Sequence, residues 1–212
     1  MTAPLHPPAA EAPEGETPAT DALDPLAEFQ TLFVRISQDA PHDPTAVTLA
    51  TADASGAPSA RMVLLKGIDS RGFHFYTNYD SRKGRELADN PRAALCWYWD
   101  WIEVQVRAEG AVERLSAAES DAYFATRPRG HQLGAWASFQ SQPLGSRFAL
   151  LRRVIATETR YLGRAIPRPP HWGGFLLRPK RIEFWQGKRS RLHERRHFYL
   201  EQGVWRCERL SP

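Results

Sequence analysis

The apolar positions change period along the chain. Asp24-Pro25 supplies a helix N-cap followed by proline at the first helical position. Leu26, Phe29, Leu32, Phe33 and Ile36 then fall on one helical face. From Thr45 the period drops to two. Residues 45–52, 59–68, 73–78, 92–99 and 102–114 read as strands, divided by turn sequences such as Asp53-Ala54-Ser55-Gly56 and Asp69-Ser70-Arg71-Gly72. Asp80-Ser81 starts a short helix with Arg82 and Lys83 in its first turn. Ser116-Ala117-Ala118-Glu119 has the capping-box pattern and opens a helix running to about Thr126. Residues 143–162 predict a longer amphipathic helix, and strands near 173–186, 190–200 and 204–209 complete the chain. Successive short strands with tight turns indicate an antiparallel sheet or barrel, not a βαβ fold. The expected fold is mainly β with α, a β-barrel core with helices packed around it, in one domain over residues 24–212.

Composition sharpens this in a few places. Of 212 residues, 42% are hydrophobic, with seven Trp and ten Phe, enough for a broad buried core. The formal charge of +4 suits a phosphorylated small molecule as well as nucleic acid. The cations fall into short separate groups and no nucleic-acid motif is recognised, so nucleic acid is not an expected partner. No apolar run approaches the roughly 18 residues that would span a bilayer, so no membrane is expected. Cys96 and Cys207 stand far apart and outside any CxxC pattern, and no basic-then-apolar leader is seen; both point to a cytoplasmic protein. Residues 1–23 are rich in Ala, Pro, Glu and Thr and read as a disordered tail.

Four patterns carry candidate chemistry. In Arg61-Met62-Val63-Leu64-Leu65-Lys66 two cations bracket an apolar strand, and alternation sets them on opposite faces. They suit two different anions, although a solvated strand end also holds Lys or Arg. Ser81-Arg82-Lys83 sets cations in a helix first turn, where they oppose the dipole unless an anion is bound. Tyr123 and Arg127 share a helix face, and a phenol beside a guanidinium can hold a phosphate monoester or merely stack at the surface. In Arg191-Leu192-His193-Glu194-Arg195, a strand would bring Arg191, His193 and Arg195 to one face, which either binds an anion or is solvated.

The same stretch reads His193-Glu194-Arg195-Arg196-His197, formally the HExxH zinc motif. That motif works on a helix, where both imidazoles share a face. In a strand the two are about 13 Å apart. Two arginines would also stand beside the metal, so no metal is expected.

These residues together resemble the pyridoxamine 5'-phosphate oxidase family. The run Glu183-Phe184-Trp185-Gln186, four residues, then Arg191-Leu192-His193-Glu194-Arg195 is similar to the family signature without a mismatch. Phe75-Tyr76-Thr77-Asn78, Arg127-Pro128-Arg129, Gly134-Ala135-Trp136, Gln140-Ser141 and Trp172-Gly173-Gly174-Phe175 agree in order and spacing, as do the three earlier cation patterns. The resemblance implies an FMN-binding split β-barrel that works as a homodimer with flavin at the interface. It implies oxidation of pyridoxamine or pyridoxine 5'-phosphate by O2 to pyridoxal 5'-phosphate, giving hydrogen peroxide, and ammonia from the amine. Carried over by motif, Arg61, Arg82 and Lys83 would hold the FMN phosphate. Met62, Val63, Leu64, Leu65, Lys66, Tyr76, Thr77, Gln105, Gln140, Ser141, Trp185 and Arg195 would line the rest of the flavin site. Lys66, Tyr123, Arg127 and His131 would grip the substrate phosphate, with Arg191, Leu192 and His193 against the pyridine ring and Arg191 and His193 as the catalytic pair.

Three departures stand out. His131 occupies a position where the family usually has a small hydroxyl residue, and residues 1–23 lack the basic and aromatic lid of some members. Cys96-Trp97-Tyr98-Trp99-Asp100-Trp101 is unusually aromatic, which implies core or interface packing. A sister group in phenazine biosynthesis shares the C-terminal signature but typically lacks the Lys of the first motif and the Tyr/Arg pair; this chain has Lys66, Tyr123 and Arg127.

Overall fold

The computed structural model describes residues 23–212, so the expected N-terminal tail lies outside the described residues, Leu23 apart. Asp24 caps α1 (Pro25–Gln38), its carboxylate accepting from the Leu26 and Ala27 N–H groups. The strands that follow are β1 (Ala46–Ala52), β2 (Pro58–Leu64), β3 (Gly67–Asp69) and β4 (Gly72–Asn78). Then come α2 (Arg82–Asp89), β5 (Arg92–Trp99) and β6 (Val104–Arg114), followed by α3 (Ala117–Thr126), α4 (Arg129–Ala137) and α5 (Arg147–Arg160). The long β7 (Trp172–Gln186) leads to β8 (Glu194–Glu201) and β9 (Val204–Arg209).

All strand pairs are antiparallel, in the order β2-β1-β5-β6-β7-β4-β3, with β8 and β9 added beside β7. One edge of β7 is shared. Its first half pairs with β4 (Phe73↔Leu177 to Asn78↔Trp172) and its second half with β8 (Arg181↔Tyr199 to Gln186↔Glu194). The other edge follows β6 throughout, with a register shift at Glu109/Gly110 opposite Pro179. Proline cannot donate to a ladder, and the bulge is where a strand tolerates it. This division opens the sheet into a curled half-barrel.

Alternation sorts the residues onto two faces. Val104, Val106 and Ala108 of β6, Ile182 and Phe184 of β7, and Trp97 and Trp99 of β5 are buried inward. Phe29 of α1 plugs this face, its ring 4.9 Å from Phe73 and 4.7 Å from Trp97. The aromatic run at 96–101 is thus core at Trp97 and Trp99, while Tyr98 points outward and is exposed. A second, smaller core of Phe124, Leu133, Ile166 and Trp172 lies under α3 and α4.

Three expectations are corrected. The strand expected over 59–68 is broken: β2 stops at Leu64, and Leu65 and Lys66 donate instead to the Thr45 and His74 carbonyls. Helix α4 was not anticipated, because Gly130 and Gly134 dilute its propensity and only Leu133 and Ala137 of its residues are buried. The strand expected over 190–200 begins at Glu194, since Ser190 and Arg191 turn the chain with φ of 57° and 61°. No glycine marks that turn.

Candidate active site

A cavity of about 720 Å3 opens between β2, β4, α3 and α4. Strand β4 supplies its floor: Tyr76 and Thr77 stand opposite Gly174 and Gly173 of β7. A Cβ on Gly174 would come within 2.8 Å of the Tyr76 ring, so glycine there leaves room for the tyrosine. Tyr76 stacks on Tyr123 at 3.8 Å and on Trp172 at 5.5 Å. Burial pushes the Tyr76 phenol up to about 12.

Two groups of cationic and polar residues meet at this cavity. One is Lys83, buried in the first turn of α2, whose Nζ donates to Thr77 Oγ1 (3.1 Å), Gln140 Oε1 (3.2 Å) and Ser81 Oγ (3.4 Å). All three acceptors are neutral, and no carboxylate pairs with Lys83 among the described residues. Burial, with Arg61 nearby, brings its ammonium down to about 8. A buried ammonium without a counter-ion fits an anion such as the FMN phosphate.

The other group is Lys66, Tyr123, Arg127 and His131, all lining the same cavity. Arg127 caps α3 and lies over the Trp172 ring, 4.6 Å from its centroid. Its Nη1 is buried and has no hydrogen-bond partner among the described residues. An orphaned guanidinium nitrogen beside a phenol is the second feature that fits an anion.

Other residues named from sequence stand elsewhere. Met62, Val63 and Leu64 line the cavity, but Leu65 is buried in the main core. Arg61 and Arg82 are not among the lining residues; both pair with the buried Glu86 carboxylate. Ser141 follows Gln140 with φ of 64° and is exposed.

A second cluster forms on the outward face of β6, β7 and β8, where Gln105, Trp185 and Arg195 are abreast in register. Glu183 Oε1 accepts from Arg195 Nε at 2.8 Å, and the same carboxylate pairs with Arg107. The His193 ring packs on Trp185 at 4.6 Å, and its Nδ1 accepts from the Lys188 N–H. Arg191 and Leu192 are exposed in the turn before β8. Because that turn is not a strand, alternation does not place Arg191 and His193 beside Arg195, correcting the sequence argument. The HExxH segment is not helical either: His193 precedes β8, and His197 pairs with Glu208 at 3.1 Å. None of Gln105, Trp185, Arg191, His193 and Arg195 lines the 720 Å3 cavity.

Sequence reasoning missed Trp172, Asn78 and Ser138 as lining residues. Trp172 stood in a recognised motif, Trp172-Gly173-Gly174-Phe175, but nothing local says that an arginine 45 positions earlier would rest on its ring. Glu86 was also missed, although its position four after Arg82 was a signal.

Residues 37–161 match the family described as pyridoxamine 5'-phosphate oxidase, and residues 172–212 match the pyridoxine 5'-phosphate oxidase C-terminal dimerisation region. A protein of Rubrobacter xylanophilus named pyridoxine/pyridoxamine 5'-phosphate oxidase is 56% identical over 189 residues, covering 89% of this chain and 87% of that protein. One of the same name from Myxococcus xanthus is 54% identical, covering 89% and 92%. Among solved structures, PhzG from Burkholderia lata 383, in complex with tetrahydrophenazine-1-carboxylic acid, superposes with a TM-score of 0.87 at 30% identity, over 94% of this chain and 98% of that one. An FMN-binding protein related to pyridoxamine 5'-phosphate oxidase from Nostoc punctiforme shares the fold, with a TM-score of 0.73 at 18% identity over 91% of this chain and 100% of that one. With the half-barrel, the cavity and both halves of the chain in agreement, this protein belongs to the pyridoxamine 5'-phosphate oxidase family.

Proposed function

We propose that residues 24–212 form an FMN-dependent oxidase domain that converts pyridoxamine and pyridoxine 5'-phosphates to pyridoxal 5'-phosphate. O2 is reduced to hydrogen peroxide, and the amine also consumes one water and releases ammonia. The observation that carries this reading is the pairing of two anion-ready groups in one cavity: buried Lys83 with neutral partners, and Arg127 with an unpaired Nη1. A flavin phosphate and a substrate phosphate would satisfy both. A flavin carrier needs only one.

Lys83, Thr77 and Gln140 would hold the FMN phosphate end, with Met62, Val63 and Leu64 along the flavin. When bound, FMN would supply the two-electron redox chemistry that links the substrate to O2. The chain's own work is then binding and orientation. Lys66, Tyr123, Arg127 and His131 would fix the substrate phosphate, while Arg191 and His193 would face the ring and assist loss of the proton on the C4' amine or hydroxyl.

Those last two residues, with Gln105, Trp185 and Arg195, stand outside the cavity of their own protomer. We assign them to the partner's site in a homodimer. Met62, Leu64 and Tyr98 give the outward face of the sheet an exposed apolar surface for such a contact. The match of residues 172–212 to a dimerisation region supports the same assembly. Two unpaired cysteines, Cys96 and Cys207, fit a reducing cytoplasm.

Likeness to PhzG favours one rival, a phenazine-type flavoprotein. Lys66, Tyr123 and Arg127 argue for a phosphorylated substrate instead. Anaerobic addition of pyridoxamine 5'-phosphate to the FMN-loaded protein should bleach the flavin spectrum, and air should restore it. A flavin that stays oxidised would move the substrate assignment to the rival.

A further inference from the structure

Glu86 is buried at 5% exposure, yet four donors from three elements converge on it. Thr51 Oγ1 of β1 and Ser59 Oγ of β2 donate to its carboxylate, the latter at 2.7 and 2.8 Å. Arg61 Nη2 of β2 lies 3.1 Å from Oε2, and Arg82 Nε, at the start of α2, lies 2.8 Å from Oε1. The rest of the Arg61 fork is also fixed: Nη1 donates to Leu49 O at 3.2 Å and to Thr51 Oγ1, and Nη2 also donates to Ser59 Oγ. Hydrogen bonds and paired arginines outweigh burial and hold the Glu86 carboxyl down to about 2, so it is charged at neutral pH.

The charges balance in an informative way. Arg61, Arg82 and Lys83 bring three positive charges and Glu86 removes one, leaving two for a phosphate monoester dianion. The carboxylate also removes the freedom of two long side chains, each of which otherwise loses rotamer entropy when a ligand binds. Lys83 benefits too, because the negative charge of Glu86 opposes the effect of Arg61 on its ammonium.

We infer that Glu86 is a positioning residue for the flavin phosphate, acting through Arg61 and Arg82 to pre-set the anion subsite around Lys83. This rests on the proposed reading of that subsite as the FMN phosphate site.

The test is a fluorescence titration of FMN-free protein with FMN and, separately, with riboflavin, which lacks the phosphate. Glu86→Gln keeps the shape but turns an N–H2 toward arginine donors, so one arginine is displaced. FMN should bind about tenfold more weakly, the scale of one charge-assisted contact. Riboflavin affinity should hold within about twofold. Glu86→Asp, which keeps the charge but cannot reach all four donors, should fall between, and carries the comparison if Glu86→Gln does not fold. Equal weakening of both flavins would make Glu86 merely structural, and tighter FMN binding would make it only a counter-charge; either overturns the inference, as does no change. Lys83→Met serves as the reference in the same titration. If Lys83→Met leaves the ratio of FMN to riboflavin affinity unchanged, the phosphate reading itself fails. If the ratio falls for Lys83→Met but not for Glu86→Gln, only the role of Glu86 fails.

Discussion

Arg127 lies over the Trp172 ring, its guanidinium carbon 4.6 Å from the centroid, with its Nη1 buried and unpaired among the described residues. Burial lowers the guanidinium from its ordinary value, the neighbouring Tyr123 opposing only in part, but an arginine still stays charged. The indole face compensates some of the lost hydration, and it also fixes the direction in which the fork points. The protein therefore keeps a half-buried cation with an unpaired nitrogen in the wall of the cavity, a costly arrangement that a bound anion would relieve.

Replacing this residue tests the substrate grip. Arg127→Ala should lower kcat/KM for pyridoxamine 5'-phosphate by about 30- to 150-fold, through the loss of one charge-assisted contact of about 2–3 kcal/mol. Bound FMN should stay near one per chain, because Arg127 belongs to the second group of cations. Steady-state kinetics with flavin quantitation decide it; a change below about threefold would remove Arg127 from the site.

In the proposed FMN site, Lys83 would couple stability to cofactor binding. Its ammonium falls from 10.5 to about 8 in the folded protein. Between those two values the unfolded chain holds a proton that the folded chain has released, so the stability of FMN-free protein should rise with pH across that window. Below about pH 8 the buried charge costs up to roughly 3 kcal/mol. Lys83→Met should therefore raise the urea midpoint of FMN-free protein at pH 7 while weakening FMN binding at least tenfold, about 1.4 kcal/mol. FMN affinity of the native protein should decline as pH rises past 8, where the free ammonium is lost. Urea unfolding of the FMN-free proteins at pH 7 and 10, beside flavin titrations, checks both halves.

The cations that make these predictions were legible in the chain because their surroundings contradict local preference. Lys83 opposes a helix dipole, and Arg127 follows Tyr123 by four residues. Helix α3 ends at Thr126 with Arg127 as its extended C-cap, so the two come together at the cavity without sharing a helix face. Most strands from β1 to β7 were legible from alternation between clear turns, although β2 and β3 read as one and the pairing of the strands did not show. What escaped depends on partners distant in sequence. Helix α4 has too few apolar positions to announce itself, and its buried Leu133 is claimed by a core that also needs Trp172. The turn at Ser190 and Arg191 adopts positive φ without glycine, so no residue type marks it. Glu86 reads as one more charge on a short helix until Thr51 and Ser59 are brought to it from β1 and β2.

The outward cluster has its own keystone. Glu183 is buried, and although burial pushes its carboxyl up, Arg195 and Arg107 outweigh that and hold it below its ordinary value of 4.5. Its contribution to stability is then present above about pH 4.5 and lost on further acidification. Glu183→Gln would leave two guanidiniums without a counter-charge, and Arg107 Nε is already unpaired among the described residues. The variant should lose about 2 kcal/mol in urea unfolding at pH 7, less than a fully buried pair because Arg107 is partly exposed. Its stability should vary less than that of the native protein below pH 4.5. An unchanged acid profile would dismiss the network as a source of acid sensitivity.

The proposed division of the site between two protomers makes the sharpest demand. Arg127 lines the cavity and Arg191 does not, although the proposed chemistry needs both at one substrate. In a two-fold dimer each site would take Arg127 from one protomer and Arg191 from the other. Arg127→Ala and Arg191→Ala proteins should each be nearly inactive alone. Unfolded together and refolded at equal amounts, they should form about half mixed dimers by random pairing, each with one doubly altered site and one intact site. Activity should return to about a quarter of the native value, with native KM, because the sites that work are unaltered. A protomer that carried its own complete site would show no recovery at any mixing ratio. Met62→Glu, which sets a charge on the exposed outward face, should separate the protomers and lose flavin in the same step. Analytical ultracentrifugation read at the flavin absorbance follows both events in one experiment, and a monomer that stays yellow and active would refute the shared site.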